Sequence, residues 1–249
     1  MTFKPQFSKS FFLAAGQCNA EGMLPLQWLV QRLIDVATLH ANSIDIGYSH
    51  LRKHNASWVL HQVSICMESY PEVNEDFTIE TWIVATNPLK SDRAYRIVRY
   101  DGTTAGYALT TWVAIDVDKR SVARLDKIFP DSLPDTGVYP PIDRFRKISV
   151  PENSETLLKY RFCYTDLDCN RHVTTRRYVE LMLNCLSLDF LDRNMVRSFE
   201  LSFHSEALFN QDVEVRGAIS DDKPFELALY CQDKLLSSFR LSTVKIERH

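Results

Sequence analysis

The sequence predicts an α+β chain of two tandem repeats, each a long central helix wrapped by a curled antiparallel sheet. Three observations lead there. A proline-dense stretch divides the chain, a helical apolar pattern opens each side of it, and strand-like runs follow each helix. The length of 249 residues suits two small domains or one large one, at roughly 150 residues each.

The boundaries follow the prolines. Five of the ten (Pro130, Pro134, Pro140, Pro141 and Pro151) fall between Asp126 and Glu155. Proline fixes φ and removes a donor, so residues 126–156 read as an extended linker between repeats 1–125 and 157–249. In the first repeat Leu26, Leu29, Val30, Leu33, Ile34 and Ala37 recur at helical spacing, with Pro25 suited to a first turn. The runs Ser57–Tyr70, Asp76–Asn87, Arg93–Asp101 and Ala105–Asp118 read as strands, with Phe77, Ile79, Thr81 and Ile83 on one face. Asp101-Gly102 marks a hairpin between the last two.

The second repeat repeats the order. A strand at Leu157–Tyr164 leads to one helix over Thr174–Leu191, apolar nearly all round and therefore expected to be buried. Strand runs return at Phe199–Phe209, Asp212–Ser220, Phe225–Gln232 and Leu235–Glu247. The helix entries echo one another: Gln17-Cys18-Asn19 aligns with Asp168-Cys169-Asn170, and Trp28 with Tyr178 across a one-residue gap.

Composition excludes several classes. With 45% apolar and 24% charged residues the chain is globular, and a net charge of -3 supplies no global field for nucleic acid or a membrane. The six cysteines are scattered without a CxxC pair and read as reduced core thiols. The apolar patch at Phe11–Ala15 is too short for a signal-peptide core or a membrane span, so a cytoplasmic location is expected. A homodimer fits the commonest symmetry of soluble oligomers.

The polar cluster Tyr164 to His172 sits between an apolar strand and the buried helix. Amides at a helix start lack intrahelical partners and favour negative charge, which suits a tetrahedral oxyanion. If the segment is extended, Asp168, Asn170 and His172 project together. Asp, Asn and Thr are also ordinary capping residues, but a cap needs no imidazole. A calcium loop fails, because Arg171 and Arg177 stand where glycine and glutamate are required. Zinc through Cys163, Cys169 and His172 lacks a fourth ligand and the usual spacing. A Cys169–His172 nucleophile pair is disfavoured, because alternation turns Cys169 away from His172. With no glycine-rich phosphate loop either, no cofactor is expected.

The run Asp166-Leu167-Asp168-Cys169-Asn170-Arg171-His172-Val173, followed by Tyr178, resembles the catalytic loop of the acyl-acyl-carrier-protein thioesterases of plants and bacteria. Leu201 to Glu206 resembles the strand carrying that family's acidic residue. Trp58-Val59, Tyr70-Pro71, Thr81-Trp82, Arg96 to Asp101 and Trp112-Val113 resemble its first repeat. The resemblance implies a double hot-dog fold in which the first repeat shapes the acyl pocket and the second carries the chemistry. It assigns roles to Asp168, Asn170, His172 and Glu206. Two residues depart from the pattern: Ala207 stands where plant members often have cysteine, and Thr174-Thr175 replaces an Asn-Asn pair.

The implied activity is hydrolysis of fatty acyl-[acyl carrier protein] thioesters, the partner being acyl carrier protein with its phosphopantetheine-linked acyl chain. Two mechanisms satisfy these residues. Glu206 or Asp168 activates water with His172 as proton carrier, or a carboxylate attacks and forms a transient anhydride. Arg171, Arg176 and Arg177 form a basic cluster that suits phosphate recognition or simply faces solvent. Rival functions are an acyl-CoA thioesterase, a hydroxyacyl-thioester dehydratase and a non-catalytic acyl sensor.

Overall fold

Alternating apolar residues need a sheet with one covered face, and the first repeat builds one. The computed structural model describes residues 5–130, 133, 135–150, 154–220 and 224–246. Pro134, Pro151, Glu247 and His249 lie outside these. The chain divides into two compact units: residues through Pro25 with Arg32–Asp143, and Leu26–Gln31 with Arg144 onward.

The first half of the chain runs β1 (Gln6–Phe12), α1 (Leu26–Ser43), α2 (Tyr48–Lys53), β2 (Ala56–Met67), β3 (Asp76–Thr86), β4 (Ser91–Arg99), β5 (Thr104–Asp116), β6 (Ser121–Ala123) and α3 (Leu125–Ile128). Its strands pair antiparallel in the order β1-β3-β4-β5-β2, with β6 on β5. Phe77, Ile79, Thr81 and Ile83 are all buried on one face of β3, as their alternation requires. Register breaks between Leu60 and Gln62 and between Ile83 and Ala85 add the local twist that curls a sheet. The hairpin forms at Asp101-Gly102: Asp101 accepts from the Thr103 amide at 2.9 Å, and Gly102 takes φ 84°.

Helix α1 begins directly after Pro25, whose φ of -65° is the ring's natural value. Leu26, Leu29, Val30, Leu33 and Ala37 are buried as expected, and Val36 joins them while Ile34 stays half-exposed. Near its end His40 is fully buried, and Arg93 of β4 donates to its Nδ1 at 2.7 Å and to Thr81 at 3.3 Å. The permanently charged guanidinium thus places the imidazole proton on Nε2.

The second unit continues with β7 (Glu155–Arg161), α4 (Thr175–Leu183), α5 (Leu188–Arg193), β8 (Asn194–Phe203), β9 (Asp212–Gly217), β10 (Phe225–Cys231) and β11 (Lys234–Lys245). Its sheet order is β8-β11-β10-β9-β7. The single helix expected over 174–191 is in fact two. It breaks after Leu183, and Ser187 caps a new start by accepting from the Phe190 amide at 3.1 Å. Serine at that position offers the backbone an alternative to continuing the helix. Leu188, counted as part of a buried surround, is 63% exposed.

The described part of the stretch read as a linker is docked backbone. The Thr136 and Gly137 amides donate to Ile83 and Val84 carbonyls, and the Trp82 indole donates to Val138. Within the second unit Arg240, paired with Glu200 and Glu226, donates to the Lys147 carbonyl at 2.8 Å. Proline-rich backbone lacking its own ladder still needs partners, and the sheets' carbonyls and side chains supply them. The cysteines also differ from expectation. All six are free, but none is fully buried, and Cys163 and Cys169 are exposed.

Glu75, largely buried, receives both Arg99 guanidinium donors at 2.9 and 2.7 Å. Burial alone would raise its pKa, but the hydrogen bonds from Arg99 and the Glu72 amide outweigh it and hold the carboxyl below the ordinary glutamate value. The pairing therefore stabilises the fold fully above the unfolded-chain pKa of about 4.3 and is lost as pH falls through the lower folded value. In urea unfolding from about pH 6 down to pH 3, wild type should lose stability more steeply than Glu75→Gln.

Candidate active site

Asp166 organises the loop. It ends a single 3-10 turn, Tyr164–Asp166, and its side chain is wholly buried. The carboxylate accepts the Cys163 amide at 2.8 Å and the Tyr160 hydroxyl at 3.1 Å. Burial first, and a hydrogen bond with Cys163 second, push the Tyr160 phenol up to about 12, so it remains a neutral donor. Arg177, from the first turn of α4, places Nε 2.6 Å from Oδ1 of Asp166. That nitrogen points off the hydrogen-bonding direction, so the contact is an ion pair rather than a hydrogen bond. Arg177 also reaches Glu180 at 2.8 Å.

From Asp166 the chain turns instead of extending. Leu167 bridges Val173, the Asp168 amide donates to the His172 carbonyl, and Arg171 donates to the Asp168 carbonyl with φ 64°. The Asp168 carboxylate accepts the Asn170 amide at 2.8 Å and the His172 amide at 3.0 Å. The expectation that alternation along an extended strand aims Asp168, Asn170 and His172 together is therefore replaced by an Asp-closed turn. Asp168, Asn170 and Arg171 are exposed. The Asn170 side chain makes no hydrogen bond among the described residues, nor does Arg171 make an ion pair there. Thr174 supplies what the absent Asn-Asn pair left open. Its amide donates to the Asp166 carbonyl, and its hydroxyl accepts the Arg177 amide as the cap of α4.

The second half of the site follows β8. His172 bridges Leu208, and the Val173 amide donates to the Ala207 carbonyl at 3.0 Å. The Tyr178 hydroxyl accepts the Ala207 amide at 3.0 Å from beneath. Held on both sides of the chain in this way, Glu206 brings Oε2 to 3.5 Å from His172 Nε2, both side chains about a third exposed. A half-exposed imidazole facing a carboxylate is an acid–base pair open to a reacting group. His204 is exposed and bonds to Ser238 instead. Among the described residues no His, Cys, Asp and Glu side chains gather into a metal set.

The basic cluster separates. Arg176 lies 3.5 Å from Glu180 and 4.7 Å over the Trp28 ring, and Arg177 is committed to Asp166. The sequence placed Asp166 and Tyr178 in the loop's motif and Ala207 beside Glu206 but assigned none of the three a role. The signal was present for Asp166, whose place three residues after Cys163 and before an arginine-bearing helix start fits a capping box.

Residues 4–132 match the profile described as the acyl-ACP thioesterase N-terminal domain, and residues 149–237 match the C-terminal domain. The chain belongs to the acyl-ACP thioesterase family. Among curated relatives it is 21% identical to the chloroplastic palmitoyl-acyl carrier protein thioesterase of Gossypium hirsutum, covering 86% of this chain and 55% of that protein. It is 23% identical to the dodecanoyl-[acyl-carrier-protein] hydrolase of Cinnamomum camphora, over 92% and 63%. The chain thus spans about half to two-thirds of the length of the curated relatives it matches. Its fold is that of an acyl-ACP thioesterase from Bacteroides thetaiotaomicron, with TM-score 0.89, 23% identity and coverage of 96% and 98%. The 12:0-ACP thioesterase from Umbellularia californica gives TM-score 0.84 at 15% identity, over 99% and 100%. These neighbours carry the double hot-dog fold that the family resemblance implies. No helix among the described residues is long and apolar enough to cross a membrane.

The acyl-ACP thioesterase repeat is also visible inside the chain, in a register different from the expected one. Asn19, not Gln17, matches Asp168: it accepts the Glu21 and Met23 amides, as Asp168 accepts those of Asn170 and His172. Met23 bridges Glu72 as His172 bridges Leu208, and the Leu24 amide donates to Pro71 as that of Val173 does to Ala207. Leu29 then falls at the position of Tyr178 without a gap.

Removing one partner of a buried ion pair leaves the other charge uncompensated. Arg177→Met, which leaves the wholly buried Asp166 carboxylate without its counter-charge, should therefore cost about 3–5 kcal/mol of stability, measured by urea unfolding. A loss under about 1 kcal/mol would show that the Cys163 amide and the Tyr160 hydroxyl suffice for the carboxylate.

Proposed function

We propose that this chain hydrolyses fatty acyl-[acyl carrier protein] thioesters, releasing free fatty acid and the holo carrier. The His172–Glu206 pair, set on the family's C-terminal domain, is the observation that carries the reading. Glu206 draws a proton from water through His172, and the hydroxide equivalent adds to the thioester carbonyl. The tetrahedral intermediate expels the carrier's thiolate, and the C–S bond breaks as His172 returns the proton to sulfur. Asn170, with its side chain uncommitted among the described residues, orients the carbonyl or the water. Asp168 spends one carboxylate oxygen on the turn, so its part is to hold His172 in place.

The expected three-arginine carrier surface narrows to Arg171, exposed at the tip of the turn beside His172. A guanidinium there suits the phosphate of the phosphopantetheine arm and the acidic carrier around it.

Thiol release from panels of acyl-carrier-protein and acyl-CoA thioesters tests the reading. Wild type should favour the carrier-bound series, and His172→Ala and Glu206→Gln should each lower kcat by about 10²–10⁴-fold. Faster hydrolysis of the CoA series would reassign the substrate, and no release from either would sink the hydrolase. Arg171→Glu should raise KM several-fold for carrier-bound substrate and much less for acyl-CoA; equal effects would remove Arg171 from carrier recognition. Single turnover in labelled water should leave no label in Glu206 or Asp168, whereas label in either carboxylate would establish an anhydride route.

A further inference from the structure

We infer that Tyr178 is a positioning residue for thioester hydrolysis, its hydroxyl fixing the Ala207 amide and thereby the Glu206 carboxylate opposite His172. The inference rests on the hydrolase reading above and names a residue that reading does not use.

The geometry is short and direct. Tyr178 stands one turn into α4, buried, with its ring edge-on to Phe203 at 5.1 Å and tilted to Phe162 at 6.3 Å. Its hydroxyl accepts the Ala207 amide at 3.0 Å. The Ala207 carbonyl meanwhile accepts the Val173 amide, the residue after His172. One peptide segment is thus gripped from two sides, by the helix and by the catalytic turn. Glu206 precedes it, so its backbone has little freedom to carry the carboxylate away from the imidazole 3.5 Å distant.

The first repeat supplies an internal control. Its loop closes with the same backbone bonds and the same Asx-type turn. There Leu29 replaces Tyr178 and Pro71 replaces Ala207, so the hydroxyl and the amide proton are absent together. Met23 and Tyr70 stand at the positions of His172 and Glu206, so the acid–base pair is absent as well. The turn therefore forms without the tyrosine–amide bond. The bond occurs in the repeat that has groups to align and is absent from the repeat that has none, the pattern a positioning contact would give.

Tyr178→Phe keeps the ring and its aromatic contacts but leaves the buried Ala207 amide without its acceptor, a cost smaller than the stability of a domain. We expect kcat on the preferred thioester to fall about tenfold to a hundredfold with KM within about twofold, since a misplaced reacting group costs rate more than binding. The Ala207 amide should exchange faster with solvent in the variant, a readout that needs no substrate. Ala207→Pro, which installs the first repeat's residue, should give the same kcat loss if the donor is what matters. Both variants should keep the wild-type circular dichroism spectrum.

Wild-type kcat in Tyr178→Phe would overturn the inference while leaving the hydrolase intact. A rise in KM at constant kcat would also overturn it, by making Tyr178 a binding residue. Absence of thioester hydrolysis by the wild type would remove the hydrolase reading and this inference with it, even if Ala207 exchange changed.

Discussion

Asp166 loses its hydration on folding, and the active loop is arranged around replacing it. A buried carboxylate without partners is costly enough to be protonated or to prevent burial altogether. Here an amide, a phenol and a guanidinium surround it, each from a different piece of the second unit. Satisfying that one charge therefore joins the end of β7, the 3-10 turn and the first turn of α4. Thr174 completes the joint through the Asp166 carbonyl. Everything downstream, including the direction in which His172 leaves its turn, inherits this alignment.

The two repeats share one loop backbone, although only the second sets a histidine against a carboxylate on it. Both loops close on an Asx side chain, both place a left-handed residue before the functional position, and both pair with the segment after the long strand. The left-handed position is Gly22 in one repeat and Arg171 in the other. Arginine at φ 64° carries a steric cost that glycine avoids, and it sets a cation at the exposed tip beside the acid–base pair. The two loops thus differ in the side chains laid on a repeated scaffold.

Most strands, the hairpin at Asp101-Gly102 and the first helix were legible in the sequence, because each depends on local periodicity or on one turn residue. Strands β1 and β6 were not, and the strand expected over Phe199–Phe209 runs from Asn194 to Phe203, leaving Glu206 beyond its end. The break at Leu183–Ser187 was not legible either. An unbroken apolar pattern hides a serine cap, since the cap wins only when the following turn has a reason to change direction. How the linker docks was not legible for a related cause: proline density shows where regular structure stops but not what the irregular backbone will hydrogen-bond. Arg240 and Trp82, which hold it, lie far from it in sequence.

For the site, the sequence by itself determined the cluster of residue types, Asp168, Asn170, His172 and Glu206, and the family that carries them. It also determined that a helix start would lie beside them. Only the tertiary structure decided which of the two carboxylates meets the imidazole. Asp168 is next to His172 in sequence, yet a short side chain on a tight turn reaches its own backbone amides first. Glu206 is remote in sequence, yet pairing between the turn and the segment after β8 brings it to the ring. Contact across a fold is set by the hydrogen bonds that place backbones side by side, and no local pattern encodes them.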